Sequence, residues 1–536
     1  MIGYIFTILL FGSFLIRIAR AFTFHASLWQ RKEYRWDRMV SYLKTPQGTH
    51  TLFGISNIVK WVLIAIFPLF ALFKIPISYF FVVTVVFILE AGRNLYTLYK
   101  NSWPKARVGI RTLTILLIGF FCTLLLLWWS PLTIPLWILV VDRLLPFILG
   151  GLFLASRVPF AVYESFLVRR AQVKIQSVKP LVIGITGSYG KTSTKEFLYS
   201  ILAPYRKTVK TARSRNTLIG VAETILHSLP DDTEVFIVEM GAYKRGEIAS
   251  ICNLVEPKIA IITGINEQHV ELFGSKEEII KTKYELIENL LPDGTALFNG
   301  RNEDCRNMAQ LAKKNGKKVI IYTVQKRIIR NQEFIASGAG QTKKDVRFFL
   351  VLQGERKAIE VPVFGIHQVE NILGAATAAS VVGLSEKEIF SSLASLSPSS
   401  TGMKKIKSST GITWIDDSFN SNPDAVRSVL EFMTGYKGKK LLVLQPLIEL
   451  GKLSESIHEQ LGKEAAKADA NVILTNQDFF EAFSRGFESM PPNKDNRTVV
   501  LNSQKTAELI HALQGKDDIV VFEGKEAGRI LHRLLL

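Results

Sequence analysis

Cysteine is scarce in this chain of 536 residues, since only Cys122, Cys252 and Cys305 occur, odd in number and far apart. This spacing supports neither a disulfide framework nor a zinc knuckle, and it fits a reducing compartment for the soluble part. The formal net charge is +19, but the basic residues form no stripe interleaved with aromatic side chains. We therefore predict no nucleic-acid partner. Low-complexity segments and internal repeats are also lacking.

Nearly all of the long apolar runs lie in residues 1–155, and the sequence after about Ser156 lacks runs of this length. A helix needs about 20 apolar residues to cross a bilayer. Five runs approach this length: 2–19, 57–73, 75–92, 109–129 and 132–155. The second is short and carries Lys60, so a snorkelling or half-inserted helix is an alternative there. A signal peptide is the alternative interpretation of the first run. This run lacks the basic N-terminal residues and the cleavage site that a signal peptide has.

Lysine and arginine are concentrated in two of the loops between these runs. Residues 17–50 contain Arg17, Arg20, Arg31, Lys32, Arg35, Arg38 and Lys44, and residues 91–108 contain Arg93, Lys100, Lys105 and Arg107. Basic loops stay on the cytoplasmic side. The pattern predicts a multi-pass cell-membrane segment over 1–155 with its N-terminus outside, a cytoplasmic linker over 156–178, and the remaining domains in the cytoplasm.

Asp142 and Arg143 lie inside the fifth run, where charges are costly. One interpretation is a polar cavity that faces a lipid-linked head group. The other, slightly favoured, is an interfacial break between two shorter helices.

A glycine-rich segment follows the apolar run Leu181 to Ile185 and opens a helix-like run: Thr186-Gly187-Ser188-Tyr189-Gly190-Lys191-Thr192-Ser193-Thr194. Glycines let backbone N–H groups converge on phosphate oxygens, a lysine adds positive charge, and a threonine hydroxyl can bind Mg²⁺. The segment therefore predicts an ATP site; the alternative is a glycine-rich turn that binds nothing. The predicted nucleotide contacts in it are Thr186, Gly187, Ser188, Gly190, Lys191, Thr192 and Ser193.

Strand-like and helix-like runs alternate through residues 179–398, which predicts a parallel sheet covered by helices. The strand-like runs are 181–185, 235–238, 259–263, 296–298 and 319–322, and a hairpin is predicted within 325–362. Ligands of such sheets lie beyond the carboxyl ends of the strands. Glu239 and the segment Thr263 to Glu271 fall there, and Lys283 lies on the next helix.

These polar residues suit a hard cation. Thr192 and Glu239 offer oxygen ligands for an ion between phosphates, and His269 is a candidate for binding a second ion. Taken singly, each has a plain structural explanation: Glu239 as a surface acid, His269 as a loop histidine and Lys283 as an exposed lysine. As a set placed after a phosphate loop, they favour a metal-assisted active site.

The alternation restarts in residues 399–536 and predicts a Rossmann-like lobe. Its strand-like runs are 412–415, 441–444, 472–475, 499–501 and 519–522, and a serine-rich hinge at 395–402 is predicted to let it close over the nucleotide. The predicted fold class is thus α/β: transmembrane helices, a central phosphate-loop domain with a parallel sheet and a small antiparallel subdomain, and a Rossmann-like domain.

Several separated motifs over residues 179–536 resemble the Mur ligases and, within them, are most similar to MurF, which adds D-alanyl-D-alanine to UDP-N-acetylmuramoyl-tripeptide. They are the phosphate loop from Gly184 to Glu196, Val238 to Ala242 with Gly246 to Ala249, His269 to Ser275, Gly365 to Ala376, and Asp416 to Pro423.

The resemblance implies roles for particular residues. Lys191 and Thr192 would hold the ATP phosphates and Mg²⁺, Glu239 would bridge two metal ions, and His269 would bind the second ion. Lys283 would be carbamylated and supply a further metal ligand. Lys191, His269 and Lys283 are then the catalytic set, while Asn371 would contact adenine and Asp417 the ribose.

The chain also departs from the family pattern. Met403 stands in place of the usual arginine after the hinge glycine, Gln445-Pro446-Leu447 in place of Gly-Asp-Met, Glu523-Gly524-Lys525 in place of Lys-Gly-Ser, and Thr263-Gly264 in place of Thr-Asn. Residues 1–155 occupy the place of the family's soluble UDP-sugar-binding domain. These changes leave the phosphate and metal residues intact and leave the incoming amine open.

Three functions compete. The first is a membrane-anchored, ADP-forming amide ligase for peptidoglycan precursors, joining a UDP-linked or lipid-linked carboxylate to an amino acid or dipeptide. The second is a ligase for another surface polymer such as poly-γ-glutamate, and the third is a membrane-held ATP-binding scaffold or pseudoenzyme. A transporter is disfavoured because no ABC-type signature occurs, and an amidotransferase-type subunit because its cysteine cluster is missing.

Overall fold

The structure, a computed structural model, forms two compact units, Met1–Ser165 and Phe166–Leu536. It describes residues 2–32, 34, 36–43, 46–73, 76–100, 103–104, 106, 108–130, 132–212, 215–268, 270–325, 334–342, 345–396, 403–407, 412–418, 421–491, 498–500, 506, 510, 515 and 517–535.

The regular secondary structure described in the first unit is entirely helical. Its helices are α1 (Ile2–Arg31), α2 (Trp36–Leu43), α3 (Pro46–Phe53), α4 (Ile55–Leu72), α5 (Pro76–Tyr99), α6 (Ile110–Trp128) and α7 (Ile134–Ala155). The segment predicted as a linker contains a further helix, α8 (Arg157–Val178). Among the described residues, five helical stretches are long and apolar enough to cross a membrane, and each overlaps one of the five predicted runs. The first helix extends to Arg31, so Arg17, Arg20 and Arg31 lie on α1 and not in the predicted loop.

Five charged side chains meet between α1, α4, α5 and α7. Arg17 lies 3.0 Å from Glu90 and 3.2 Å from Asp142, and Lys60 lies 3.0 Å from Asp142 and also contacts Glu90. Arg143 donates to the same Asp142 carboxylate, with its Nε at 3.1 Å. The favoured interpretation of a break at Asp142 is wrong, because α7 continues through it and Asp142 is fully buried among cations.

The second unit contains a mixed sheet whose first six strands are parallel. They are β1 (Leu181–Thr186), β2 (Thr208–Lys210), β3 (Val235–Glu239), β4 (Ile259–Ile262), β5 (Thr295–Asn299) and β6 (Lys318–Gln325), arranged in the order β2-β3-β1-β4-β5-β6. Strands β1, β3 and β4 are apolar almost throughout, because helices cover both faces of a parallel sheet. The α/β prediction for this part is confirmed.

The same sheet continues into the predicted antiparallel region. Strand β7 (Phe334–Gln341) is parallel to β6, and β8 (Val346–Leu352) pairs antiparallel with both β7 and β9 (Glu355–Val361). The helices of this domain are α9 (Lys191–Leu202), α10 (Leu218–Ser228), α11 (Glu247–Val255), α12 (Val270–Phe273), α13 (Lys276–Glu288), α14 (Glu303–Lys314), α15 (Gln368–Val382) and α16 (Glu386–Ala394).

A second sheet forms the C-terminal lobe. Its order in the described residues is β10-β11-β15-β12-β13-β14, with β10 antiparallel and the others parallel, as predicted for a Rossmann-like lobe. The strands are β10 (Lys404–Lys407), β11 (Thr413–Asp417), β12 (Lys440–Leu444), β13 (Asn471–Leu474), β14 (Thr498–Val500) and β15 (Ile519–Glu523). The helices are α17 (Pro423–Met433), α18 (Ser454–Lys467), α19 (Phe480–Glu488) and α20 (Lys525–Leu535). Most of the predicted hinge, 397–402, lies outside the described residues.

Candidate active site

The glycine-rich loop connects the end of β1 to the first residue of α9. Gly190 has φ +77°, and a Cβ there would lie 2.4 Å from Oδ1 of Asn371. Gly187 has φ +152°, and a Cβ there would lie 2.2 Å from Oγ1 of Thr263. Glycine is therefore required twice, because the backbone turns left-handed or passes too close to a neighbour for any side chain.

One side chain and one backbone N–H group connect the loop to the segments that follow β3 and β4. The Thr186 hydroxyl donates to the Met240 carbonyl oxygen at 2.8 Å, and the Ser188 N–H donates to the Gly264 carbonyl oxygen at 2.7 Å. Thr186 is fully buried. These two predicted nucleotide contacts thus shape the loop, whereas Ser193 lies half-buried in the first turn of α9. The first N–H groups of a helix have no intrahelical acceptor, so this turn presents donors suited to an anion.

Lys191 begins α9 and folds back over the loop. Its Nζ donates to the carbonyl oxygens of Gly187 at 2.7 Å and Ser188 at 3.0 Å. Burial lowers the pKa of Lys191, and the negative charge of Glu239 partly opposes this. The ammonium is thus held at the mouth of the loop.

Glu239 ends β3 and is 2% exposed. Its carboxylate accepts three hydrogen bonds: from Thr192 Oγ1 at 3.1 Å, Lys195 Nζ at 2.9 Å and Asn216 Nδ2 at 3.0 Å. The two residues predicted to share a cation, Thr192 and Glu239, are therefore in direct contact. Lys195 is fully buried and lies one helical turn after Lys191.

Sequence reasoning missed Lys195 and Asn216 as members of this cluster. Lys195 carried a signal, because it follows Lys191 by four residues on one helix. Asn216 had no such signal, since it lies in the loop between the short edge strand β2 and α10.

Lys283 lies on α13 and is 4% exposed. Burial lowers its pKa to about 7, and the positive charge of Lys191 acts in the same direction, against Glu247 and Glu285. Its Nζ lies 5.8 Å from the centre of the Phe273 ring. With this pKa, a substantial fraction of the amine is uncharged near neutral pH, and the uncharged form is the one that reacts with CO₂.

The two residues with implied nucleoside contacts lie in different places. Asn371, on α15, packs against the phosphate loop, with Oδ1 3.3 Å from the Thr194 hydroxyl and Nδ2 3.0 Å from Oε1 of Gln368. Asp417 lies at the end of β11 in the C-terminal lobe. The two lobes touch near this edge, where Asn266 Nδ2 donates to Asp424 at 2.8 Å and the Glu271 N–H donates to the Glu449 carbonyl oxygen at 3.3 Å.

His269, the predicted second metal ligand, lies outside the described residues. The loop on either side of it is described. Gly264 has no side chain, and a Cβ there would lie 2.2 Å from Cζ of Tyr189. Glycine in place of the family's asparagine after Thr263 thus leaves space for the Tyr189 side chain of the phosphate loop.

The side chains fit a magnesium nucleotide. Within the described residues, no group of three or more histidine, cysteine, aspartate or glutamate side chains forms a cation cage. Mg²⁺ ordinarily uses one or two protein oxygens and takes its other ligands from water and phosphates. Thr192 and Glu239 supply such a pair beside the phosphate loop.

Comparison with known proteins agrees with this architecture. Residues 185–379 match the Mur ligase middle domain, and residues 403–526 match the Mur ligase, glutamate ligase domain. Together these matches cover more than half of the chain. This chain belongs to the Mur ligase family.

The relatives of this Mur ligase include UDP-N-acetylmuramoyl-tripeptide--D-alanyl-D-alanine ligases. The enzyme of Bacillus subtilis is 30% identical, and the alignment covers 54% of this chain and 62% of the relative. The enzyme of Escherichia coli is 31% identical, and the alignment covers 56% of this chain and 65% of the relative. The chain thus spans less than two thirds of the length of these relatives.

Solved structures show the same fold. MurF from Acinetobacter baumannii aligns with a TM-score of 0.62 at 24% identity, over 69% of this Mur ligase and 80% of that chain. MurF from Thermotoga maritima in complex with ADP aligns with a TM-score of 0.60 at 24% identity, over 69% and 82%.

Proposed function

We propose that this Mur ligase is a membrane-anchored, ATP-dependent, ADP-forming amide ligase of peptidoglycan precursor synthesis. The observation that carries the proposal is the contact of Thr192 with the buried carboxylate of Glu239 at the mouth of a glycine loop that Lys191 covers. This arrangement suits a magnesium triphosphate. The similarity to MurF proteins, one of them solved with ADP, supports the same conclusion.

A carboxylate is a poor acyl donor, and ATP would supply the phosphoryl group that turns it into an acyl phosphate with release of ADP. The amine then attacks the acyl carbon, the C–O bond to phosphate breaks, and an amide, phosphate and one proton are the products. The role of Lys191 is to neutralise charge on the transferring phosphoryl group, because its ammonium is already held at the loop. Thr192 and Glu239 would hold one Mg²⁺, and His269 a second.

Lys283 is proposed to act as a carbamate. Its burial and its lowered pKa leave a neutral amine available for CO₂, and the product would place a carboxylate on α13 as a further oxygen ligand. Asn371 and Asp417 are proposed to contact adenine and ribose. We also propose domain boundaries near residues 155, 178 and 398, which separate the membrane segment, the linker, the central domain and the C-terminal domain.

The first unit is proposed to anchor the enzyme in the cell membrane, with its catalytic domains in the cytoplasm. Its helices turn large apolar side chains outward: Ile55, Ile77, Ile110 and Trp128 are 79%, 84%, 84% and 86% exposed. Surfaces of this kind suit hydrocarbon rather than water. The basic loops identify the cytoplasmic side.

The acceptor is proposed to be a UDP-linked or lipid-linked wall precursor, and the amine an amino acid or dipeptide. A second candidate is a ligase for another surface polymer. The change from the family's Lys-Gly-Ser to Glu523-Gly524-Lys525 favours this candidate, because it alters the C-terminal lobe and leaves the phosphate loop intact.

The test uses the purified full-length protein in lipid nanodiscs with ATP and Mg²⁺. UDP-linked and lipid-linked precursors are supplied separately, each with D-alanyl-D-alanine or single amino acids. ADP release and the mass of a new amide are measured, with Lys191→Ala as the inactive control. Amide formation with any wall precursor supports the proposal. Nucleotide binding without turnover for every combination would instead favour the scaffold.

A further inference from the structure

The ion cluster of the first unit contains more positive than negative charge. Three cations, Arg17, Lys60 and Arg143, surround the carboxylates of Glu90 and Asp142. In the sequence, these two carboxylates are the only acidic side chains of α1, α4, α5, α6 and α7. Lys60 is fully buried and Arg143 is 5% exposed. Because a surplus charge held away from water is costly, the cluster requires one more negative charge.

A line of polar side chains, here called the polar seam, leads away from this cluster between α1 and α5. It consists of Arg17 and Arg20 on α1 and of Glu90, Asn94 and Thr97 on α5. Arg20 donates to Asn94 Oδ1 and to Thr97 Oγ1, each at 2.9 Å. Residue numbers rise in the same direction on both helices, so α1 and α5 run parallel, as the first and third of five membrane spans must. The seam therefore extends toward the C-terminal ends of α1 and α5, which lie on the predicted cytoplasmic side.

Asn94 has an unused donor within the polar seam. Its side chain is buried, with 3% exposure, and its Nδ2 donates to no group among the described residues. A buried amide N–H without an acceptor loses its hydration and gains nothing in return. It lies beside the guanidinium of Arg20, because the same amide accepts from Arg20. An anion with several oxygens would satisfy this donor and the surplus of positive charge together.

The polar seam reaches the surface of the first unit. The side chains of Arg17 and Glu90 are 14% and 15% exposed, and Arg20 is half-buried. Large apolar side chains on the same two helices are exposed, among them Leu15 at 60% and Leu89 at 69%. A ligand of the seam would thus meet charge with one part and apolar surface with another, as the head group and the chains of a lipid do.

We propose that the polar seam binds the phosphate group of a membrane lipid, with Arg17, Arg20 and Asn94 as its donors. Phosphate oxygens accept from guanidinium groups in the paired geometry that arginine presents, and their charge offsets the surplus of the cluster. A neutral head group would satisfy Asn94 and leave that surplus. The inference rests on the proposed membrane anchoring. It deepens the proposed function, because a lipid-linked acceptor belongs to this class of ligand.

The test uses the full-length protein in maltoside detergent, which contains no phosphate, and native mass spectrometry measures the lipid that stays bound. The probes are phosphatidic acid and diacylglycerol with the same chains, which differ only in the phosphate. Inorganic phosphate and UDP are added as soluble competitors. We expect phosphatidic acid to stay bound, diacylglycerol to be lost, and neither competitor to displace the lipid at equal concentration. Displacement by either competitor would identify a soluble phosphate as the ligand and overturn the assignment to a lipid.

Two variants of Asn94 and a matched control test the polar seam. Asn94→Leu removes the unused donor at similar size and should weaken phosphatidic acid binding roughly tenfold. Asn94→Asp supplies the missing negative charge, so it should abolish this binding and raise the melting temperature of the lipid-free protein. Arg93→Gln is the control, because it removes an exposed arginine from the adjacent position of α5 and leaves the seam intact. Its affinity should stay close to that of the wild type.

Equal retention of phosphatidic acid and diacylglycerol would overturn the proposal, as would unchanged affinity in Asn94→Leu. Arg93→Gln binding as weakly as Asn94→Leu would also overturn it, because general surface charge would then hold the lipid. Asn94→Asp that keeps the lipid and melts at a lower temperature would show that the ion cluster needs no further anion. A protein that stays soluble when cell membranes are sedimented would instead contradict the proposed anchoring.

Discussion

The buried pair of Lys195 and Glu239 allows the structural and catalytic roles of Glu239 to be separated. Lys195 is fully buried and Glu239 nearly so, with 2.9 Å between Nζ and the carboxylate. Replacing Glu239 by glutamine removes the nearer of the two carboxylates beside this buried ammonium, and the other, Glu196, lies 3.7 Å away. Removing one partner of a buried ion pair costs about 3–5 kcal/mol. We expect a fall in melting temperature on the order of 10 °C, together with loss of Mg²⁺-dependent ATP turnover.

The double variant Glu239→Gln/Lys195→Met removes both charges. Replacing a buried ion pair by neutral groups of similar size is often nearly neutral for stability, so most of the lost melting temperature should return. Turnover should stay absent, because the negatively charged oxygen ligand for Mg²⁺ is still missing. Thermal unfolding in nanodiscs and ADP release provide the two measurements. A double variant as unstable as Glu239→Gln, or a single variant that keeps full turnover, would refute the reasoning.

Three further predictions follow from other buried groups. Lys283→Ala should lose activity that added short carboxylates partly restore, measured as ADP release; an unaffected variant would contradict the carbamate. The folded pKa of Asp417 is raised to about 7 from 3.8, so its contribution to stability is complete below about pH 4 and is lost as pH rises through 7. Asp417→Asn, which removes the group facing Asp416 and Glu523, should flatten the fall in melting temperature between pH 5 and about 8, and an unchanged pH profile would exclude this cause. Asp142→Asn should lower the melting temperature of the purified protein, because Arg17, Lys60 and Arg143 lose the negative charge that they share. ATP binding by the second unit should stay intact, and a variant that melts like the wild type would count against the ion cluster as a stabilising contact.

Elements with strong local patterns were predictable. The strands β1, β3 and β4 are apolar runs bounded by polar residues, and the structure has them within a residue or so of their predicted ends. Strand β2 was missed because an edge strand of three residues buries too little to need an apolar run. Strand β7 was missed because its glycine, serine and alanine residues lack the alternation of an ordinary strand.

The phosphate loop is the part of the site that local sequence determines, because consecutive residues supply its left-handed glycine, its lysine and the start of α9. The contacts around Glu239 and the pairing of Asp417 with Glu523 depend on the tertiary structure. Strand order places β15 beside β11, although their residues are far apart along the chain. Burial of the sheet faces decides that order, and no short stretch of sequence contains it.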